Sequence, residues 1–226
     1  MISRALDTAT PWYIAFSGGK DSTVLLDLVL RVAPDTPVFW GDDGWDYPET
    51  LQFLADTAAR YDFRLWRVRN RGNIAGFGRW VGHADWPGAN PGPWDYECSS
   101  FDDHSRLLLE LGYQGVFLGL RQEESVARRL RLRQAGPLAF VRGEGLWHCA
   151  PLGRWTWRDV WAYIHSRELP YNPIYDRLAA LGVAPECQRV GPLIAWGQDC
   201  YATLQRGWPE LFNRFATEFP EVRCYV

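Results

Sequence analysis

Near its N-terminus the chain reads Trp12-Tyr13-Ile14-Ala15-Phe16-Ser17-Gly18-Gly19-Lys20-Asp21-Ser22, and a helical pattern of apolar residues follows. Lys20 is the single lysine among the 24 Lys and Arg residues. An ammonium group is a compact point charge that packs against phosphate oxygens inside a tight loop, whereas a guanidinium group is a wide planar fork. A strand, then small residues, then a helix is the order that points backbone N–H groups at an anion. The stretch therefore predicts an anion-binding loop at the end of a strand.

Each residue of this loop has a chemical interpretation. Gly18 and Gly19 remove side chains where the backbone must approach phosphate, and Ser17 and Ser22 can donate hydroxyl hydrogen bonds. A carboxylate at Asp21 repels phosphates unless it binds a cation or a sugar hydroxyl. Two interpretations of Asp21 stay open, namely a bridge through Mg²⁺ and a cap on the N-terminus of the helix.

Composition limits the class of protein. With 226 residues, of which 47% are hydrophobic, the chain can form one sizeable core with a small appended element. The net charge of −3 argues against a generally basic surface that coats nucleic acid, although a local arginine patch leaves direct nucleic-acid binding open. The sequence has neither a signal-peptide pattern nor an apolar run of about 20 residues, which predicts a cytoplasmic protein without membrane contact. The five cysteines include no C-x-x-C pair, so neither a disulfide framework nor a zinc knuckle is indicated.

Strand-like and helix-like segments alternate along the chain, which predicts an α/β fold with a doubly wound, mostly parallel sheet and flanking helices. The predicted strands are 12–16, 37–41, 64–69 and 115–120, and the predicted helices are 21–32, 48–61, 100–111 and 156–165. Asp46 is a candidate cap for the second of these helices, and Thr156 to Asp159 matches a capping box.

Two further regions differ from this rhythm. Residues 71–94 are rich in Gly, Trp and Pro, which predicts an ordered lid. We expect residues 1–180 to form the α/β domain and residues 181–226 a helical extension that packs on the core or on a second copy of the chain, as in a homodimer.

Four segments, in this order, resemble those of a known family: Ser17 to Ser22; Gly41-Asp42-Asp43-Gly44 with Pro48-Glu49-Thr50; Gly119 to Arg128; and Pro151 to Asp176. The first resembles the PP-loop of the adenine nucleotide alpha-hydrolase superfamily. The other three are similar to the phosphoadenosine phosphosulfate (PAPS) reductase-like branch. The resemblance covers roughly residues 10–180. It implies an adenine nucleotide, ATP or PAPS, at the loop.

Arg121 follows a predicted strand at the edge of the sheet where ligands of open α/β sheets bind, and Arg128 lies seven residues further on. We expect this pair to clamp the distal end of a polyphosphate or phosphosulfate, with Glu124 and Ser125 orienting the two arginines. Gly119 and Asp42 complete the predicted nucleotide site. Asp42 and Asp43 either bind metal or simply end the second strand.

The expected reaction is attack by a substrate oxygen on the α-phosphate of ATP, which releases pyrophosphate and leaves an adenylylated acceptor of unknown identity. Lys20, Asp21, Arg121 and Arg128 are the predicted catalytic residues, and the loop amides and Mg²⁺ would help to stabilise the developing charge. A non-catalytic nucleotide-binding subunit of a larger system, for example a DNA-modification complex, is one alternative.

The other alternative is a thiol-dependent sulfonucleotide reductase. Reductases of the family carry a Glu-Cys-Gly-x-His-x-Gly segment, which this sequence lacks, since the stretch from Glu186 to Arg189 has neither the glycine nor the histidine. Cys224 is the only other thiol near the tail. Cys98 is the strongest candidate for a functional thiol, and no iron–sulfur cluster is expected.

Overall fold

The computed structural model describes residues 1–42, 44–70, 95–98, 101–192 and 199–226. The predicted lid at 71–94 and Asp43 lie outside these residues. Within them the chain forms a seven-stranded sheet. Its strands are β1 (Trp12–Ala15), β2 (Val38–Asp42), β3 (Leu65–Asn70), β4 (Tyr96–Cys98), β5 (Gly115–Phe117), β6 (Leu138–Val141) and β7 (Leu146–Cys149).

The strand order β4-β3-β2-β1-β5-β7-β6 confirms the predicted doubly wound sheet. All neighbouring pairs are parallel except β6 and β7, which form an antiparallel pair at one edge. The chain winds outward from β1 to β4 and then returns to β5 on the other side of β1. The carboxyl ends of β1 and β5 therefore flank the point where the winding reverses, which is the usual ligand crevice of such sheets.

Helices cover both faces of this sheet. They are α1 (Ile2–Thr8), α2 (Lys20–Leu30), α3 (Pro48–Tyr61), α4 (Phe101–Glu110), α5 (Val126–Ala135), α6 (Trp157–Ser166), α7 (Ile174–Ala180), α8 (Asp199–Gly207) and α9 (Pro209–Glu218). None of the helices in the ranges given above is long and apolar enough to span a bilayer.

Local sequence explains where two of these helices begin. Pro48 occupies the first turn of α3, where its missing N–H costs no hydrogen bond. Thr156 and Asp159 form the predicted capping box at the start of α6. The prediction that Asp46 caps α3 is wrong, because the cap position belongs to Tyr47 and Asp46 lies one residue too early.

Residues of β1 alternate between two apolar layers. Ile14 packs with α2 and α6 in one core cluster, and Tyr13 packs with Val116 and Leu108 in another on the opposite face. A sheet buried on both faces is typical of parallel α/β folds. A separate cluster joins α7 to α8 and α9, so the segment after residue 180 packs against the α/β core through α7 and the start of α3.

Candidate active site

The loop between β1 and α2 is the centre of the candidate site. Gly18 adopts φ +71°, a conformation that L side chains rarely adopt, and a Cβ atom there would lie 3.3 Å from Cδ2 of Leu54. The eleven-residue helix α2 begins immediately afterwards at Lys20, with Gly19 at its cap. Its N-terminus therefore faces the crevice between β1 and β5 with its positive dipole end.

Serine hydroxyls hold this loop in shape. Ser22 Oγ donates to the carbonyl oxygen of Gly19 at 2.9 Å and accepts from the backbone N–H of Ser17 at 3.3 Å. The hydroxyls of Ser17 and Ser22 lie 3.2 Å apart. Both predicted serines thus stabilise the turn.

Lys20 and Arg121 meet at Asp21. Nζ of Lys20 lies 3.1 Å from Oδ2 of Asp21, and Nε of Arg121 donates to Oδ1 of Asp21 at 2.5 Å. Lys20 is 8% exposed and Arg121 is 4% exposed. Burial lowers the pKa of Arg121, but the charge of Asp21, its hydrogen bond and the charges of Glu124 and Glu123 together outweigh burial and raise this pKa above its ordinary value. Two cations a hundred residues apart in sequence are thereby held together at the N-terminus of α2.

The structure decides one of the two interpretations of Asp21. The cap of α2 is Gly19, so Asp21 is not the capping residue. Its carboxylate is bound by Lys20 and Arg121. A bridge from Asp21 through Mg²⁺ to the phosphates of a ligand stays a prediction, and we assign no step to Mg²⁺.

Glu124 links the two predicted clamp arginines. Its Oε2 accepts from the backbone N–H of Arg121 at 2.8 Å and pairs with Nη1 of Arg128 at 2.7 Å. Ser125 caps α5 by accepting from the backbone N–H of Arg128 at 3.1 Å. Arg128 itself is only partly buried and lines a cavity beside Leu118 and Leu120. Arg121 therefore faces the loop directly, while Arg128 is connected to it through Glu124.

The backbone after β5 approaches the start of α2 closely. A Cβ atom on Gly119 would lie 3.0 Å from the carbonyl carbon of Asp21. Only a glycine lets Arg121 reach Asp21 from this position without displacing α2.

Asp42 ties two strands together. Its fully buried carboxylate accepts from Nη2 of Arg67 at 2.5 Å and from Nε of the same residue at 2.9 Å. It also accepts from the backbone N–H of Gly44 at 2.8 Å. These contacts favour the strand-ending role of Asp42 over metal binding.

Cys98 ends β4 and borders a small cavity beside the loop. The cavity measures about 120 Å³ and is also lined by Ser17, Gly41 and His104. Sγ of Cys98 donates to the carbonyl oxygen of Arg69 at 3.6 Å. Burial lowers the pKa of His104 to about 4, so this imidazole is neutral at physiological pH.

Three residues that support the loop were not predicted as site residues. The hydroxyl of Tyr175 accepts from the backbone N–H of Lys20 at 2.9 Å. Nδ2 of Asn172 donates to the carbonyl oxygen of Gly18 at 3.2 Å and to Oγ1 of Thr50 at 2.9 Å. All three lie in segments that resemble the family, Pro48-Glu49-Thr50 and Pro151 to Asp176, and this resemblance is the signal that could have indicated them.

Comparison with known proteins shows the family to which the chain belongs. Residues 11–198 match the family described as the phosphoadenosine phosphosulfate reductase domain, and the chain belongs to this family. It is 30% identical over 176 residues to a phosphoadenosine 5'-phosphosulfate reductase of Gloeobacter violaceus, a match that covers 76% of this chain and 69% of the relative. It is 29% identical to an adenosine 5'-phosphosulfate reductase of Geobacillus kaustophilus, covering 76% of this chain and 70% of that protein.

Solved structures share the fold. A PAPS reductase of Candida auris matches with a TM-score of 0.56 and 21% identity, covering 84% of this chain and 85% of that one. An FMN adenylyltransferase of Candida glabrata matches with a TM-score of 0.56 and 16% identity, covering 77% of this chain and 54% of that one.

The prediction of adenylyl transfer from ATP is wrong. The relatives that match three quarters of the chain at about 30% identity are PAPS and APS reductases, whereas the adenylyltransferase shares only the fold. The prediction gave most weight to the absence of the Glu-Cys-Gly-x-His-x-Gly segment. The family match instead spans residues 11–198, which include the loop, the strands of the sheet and both Arg121 and Arg128.

Proposed function

We propose that this chain binds a sulfonucleotide, PAPS or its 3'-dephospho form APS, and reduces its sulfur with a protein thiol. The convergence of Lys20 and Arg121 at the N-terminus of α2 carries the proposal, because the phosphosulfate group is an anion that matches this set of donors. The family and its reductase relatives support the choice of a phosphosulfate over a triphosphate.

The carboxylate of Asp21 lies between the two cations that would bind a ligand anion. An incoming phosphosulfate would share Lys20 and Arg121 with this carboxylate and would lie at the positive end of the α2 dipole. Glu123 pairs with Nη1 of Arg121 at 2.7 Å and accepts from the backbone N–H of Trp157 at 2.6 Å, which fixes the guanidinium in place. Such preorganised charges are the main means of stabilising a leaving phosphate oxygen.

The adenosine end of the ligand requires an apolar surface. The cavity beside the loop offers Phe16, Phe39, Trp40 and Val68 as walls, and it borders Ser17. We propose that the adenine ring binds here, so that the phosphates extend over the loop towards Arg121.

Product analysis tests this function. Purified protein is incubated with PAPS, with APS or with ATP, each in the presence of an excess of a small dithiol, and sulfite and pyrophosphate are measured. We expect sulfite from one or both sulfonucleotides. Pyrophosphate from ATP without sulfite from either sulfonucleotide would refute the proposal. Arg121→Gln, which keeps a polar side chain but removes the cation, should abolish most sulfite release.

A further inference from the structure

Two cysteines line one cavity next to the candidate site. Cys187 ends a short 3₁₀ turn, Pro185–Cys187, and Cys200 lies in the first turn of α8. Both border a cavity of about 570 Å³, where Cys187 is exposed and Cys200 is partly buried. Two thiols can supply two electrons by forming a disulfide, which a single cysteine cannot do by itself.

The same cavity carries positive charge. Arg189 and Arg206 line it together with the apolar side chains of Leu178 and Val183. Nη1 of Arg189 donates to the carbonyl oxygens of Glu186 and Gln188, which holds this side chain against the turn that ends in Cys187. The charge of Arg189 and Arg206 would attract an anionic sulfo group into the cavity that the two thiols line.

The segment that bears Cys187 also packs on the anion-binding loop. Cγ1 of Val190 would lie 3.6 Å from a Cβ atom on Gly19, and the carbonyl oxygen of Val190 accepts from Oγ1 of Thr50 at 2.9 Å. The hydroxyl of Tyr175 binds the backbone N–H of Lys20. Burial raises the pKa of Tyr175, and the nearby charge of Arg189 opposes this rise. The cavity and the proposed phosphosulfate site are thus neighbours, separated by this one segment.

The other cysteines fit this role less well. Burial raises the pKa of Cys149 to about 12, so its thiol is protonated and a poor nucleophile. Cys98 borders a separate cavity, on the β4 side of the loop. Cys224 is exposed in the C-terminal 3₁₀ turn and is not among the residues that line the two-cysteine cavity.

We propose that Cys187 and Cys200 are a dithiol that becomes a disulfide as it reduces the sulfonucleotide; this inference rests on the proposed function. The thiolate of Cys187 attacks the sulfur, the S–O bond breaks, and the nucleotide leaves with the electron pair on its phosphate oxygen. The thiolate of Cys200 then attacks Sγ of Cys187, an S–S bond forms, and sulfite leaves with the electron pair of the broken S–S bond. Both thiol protons pass to solvent, the sulfate sulfur gains two electrons, and an external dithiol returns the disulfide to the reduced state.

A single-turnover experiment tests the pair. Reduced full-length protein, freed of reductant, is mixed with PAPS or APS, and sulfite and cysteine modifications are measured by mass spectrometry. We expect sulfite equal in amount to the protein, together with a Cys187–Cys200 disulfide. Cys200→Ser should release almost no sulfite and should retain a sulfo group on Cys187, whereas Cys187→Ser should yield neither product. Cys224→Ser, an exposed cysteine outside the cavity, is the control that should behave as wild type.

The outcomes separate this inference from the proposed function. Undiminished sulfite from Cys187→Ser or Cys200→Ser would refute the dithiol and leave the reductase function intact. Loss of sulfite with Cys224→Ser alone would transfer the attacking role to Cys224 and refute the pair. If wild type yields no sulfite even with added dithiol, the function itself fails. Calorimetry with PAPS on the cysteine variants shows that lost sulfite does not reflect lost binding.

Discussion

Lys20 is the residue on which proposed nucleotide binding depends most directly. It is 8% exposed, its ammonium contacts Asp21, and its backbone N–H binds Tyr175. We expect Lys20→Ala to weaken binding of the preferred sulfonucleotide by about 1.5–3 kcal/mol, roughly 10- to 150-fold, because a charge-assisted contact is lost. Titration calorimetry measures this change, and Arg129→Ala on the exposed face of α5 is the control. Equal affinity of Lys20→Ala and wild type would show that the phosphosulfate binds elsewhere.

Gly18 tests whether the shape of the loop matters separately from its charge. Gly18→Ala introduces a side chain at φ +71° and a contact with Leu54, whereas Gly112→Ala introduces the same kind of strain at φ +90° with open space around it. We expect each variant to lose about 1–2 kcal/mol of unfolding free energy from backbone strain. Only Gly18→Ala should also bind the sulfonucleotide more weakly. Urea denaturation and calorimetry on both proteins provide the comparison, and unaltered binding by Gly18→Ala would contradict it.

At the scale of elements, regular patterning determined which predictions succeeded. Helix α3 begins and ends at the predicted residues, because Pro48 marks its start and apolar residues recur on one face over fourteen residues. The sequence does not predict strands β4, β6 and β7, because they fall outside the regular alternation of strand and helix: β4 follows the stretch 71–94, and β6 and β7 form an antiparallel pair with no helix between them. Length is not the reason, since β1 and β5 are as short and are predicted. The sequence does not predict helix α5, because all ten of its residues are at least partly exposed and it has no apolar stripe by which a helix is recognised.

Asp27 joins three helices and makes their packing dependent on pH. Its carboxylate on α2 accepts from Nε of Arg31 at 2.7 Å, from the hydroxyl of Tyr163 on α6 at 2.7 Å and from that of Tyr61 on α3 at 3.3 Å. Burial alone would raise the pKa of Asp27, but these hydrogen bonds outweigh burial and lower it. A lowered folded-state pKa means that this stabilisation is complete above the unfolded pKa and is lost as the pH falls through the folded value.

Tyr163→Phe should therefore cost about 1.5–3 kcal/mol of unfolding free energy at neutral pH, since one hydrogen bond to a charged group is removed while the ring remains. The cost should shrink below about pH 3.9, the ordinary pKa of aspartate, as Asp27 becomes protonated. Urea denaturation at several pH values measures both effects. Tyr171→Phe, which removes a hydrogen bond to Asp176 at the surface, is the control and should change little. A cost that stays constant with pH would exclude Asp27 as the partner.

At the scale of the whole molecule, the sequence predicts which elements meet at the candidate site but not the contacts within it. Parallel strands place the ends of β1 and β5 at one edge, so the sequence alone could bring the loop and Arg121 together. That Asp21 pairs with both cations depends on a contact between residues a hundred positions apart, for which local patterns give no signal. The support that Tyr175 and Asn172 give the loop is equally non-local.

Trp208 is one of the residues that hold the C-terminal segment on the α/β core, and we predict that the two unfold together. The indole of Trp208 lies 4.3 Å from the ring of Tyr47, and its Nε1 donates to Oε2 of Glu49 at 3.0 Å. The guanidinium of Arg177 lies 4.4 Å from its ring centre. Tyr47 and Glu49 begin α3, and Thr50 in its first turn contacts Asn172 and Val190 behind the anion-binding loop.

Trp208→Ala should lower the free energy of unfolding by about 3–5 kcal/mol, the usual cost of removing a buried aromatic side chain. It should also weaken sulfonucleotide binding, since the start of α3 loses its packing partner. Trp157→Ala, in which the lost indole is 41% exposed, is the matched control and should cost far less. Far-ultraviolet and near-ultraviolet circular dichroism during urea denaturation should give one coincident transition for wild type. If Trp208→Ala leaves binding unchanged and the two signals separate already in wild type, the C-terminal segment is an independent unit that only rests against the site.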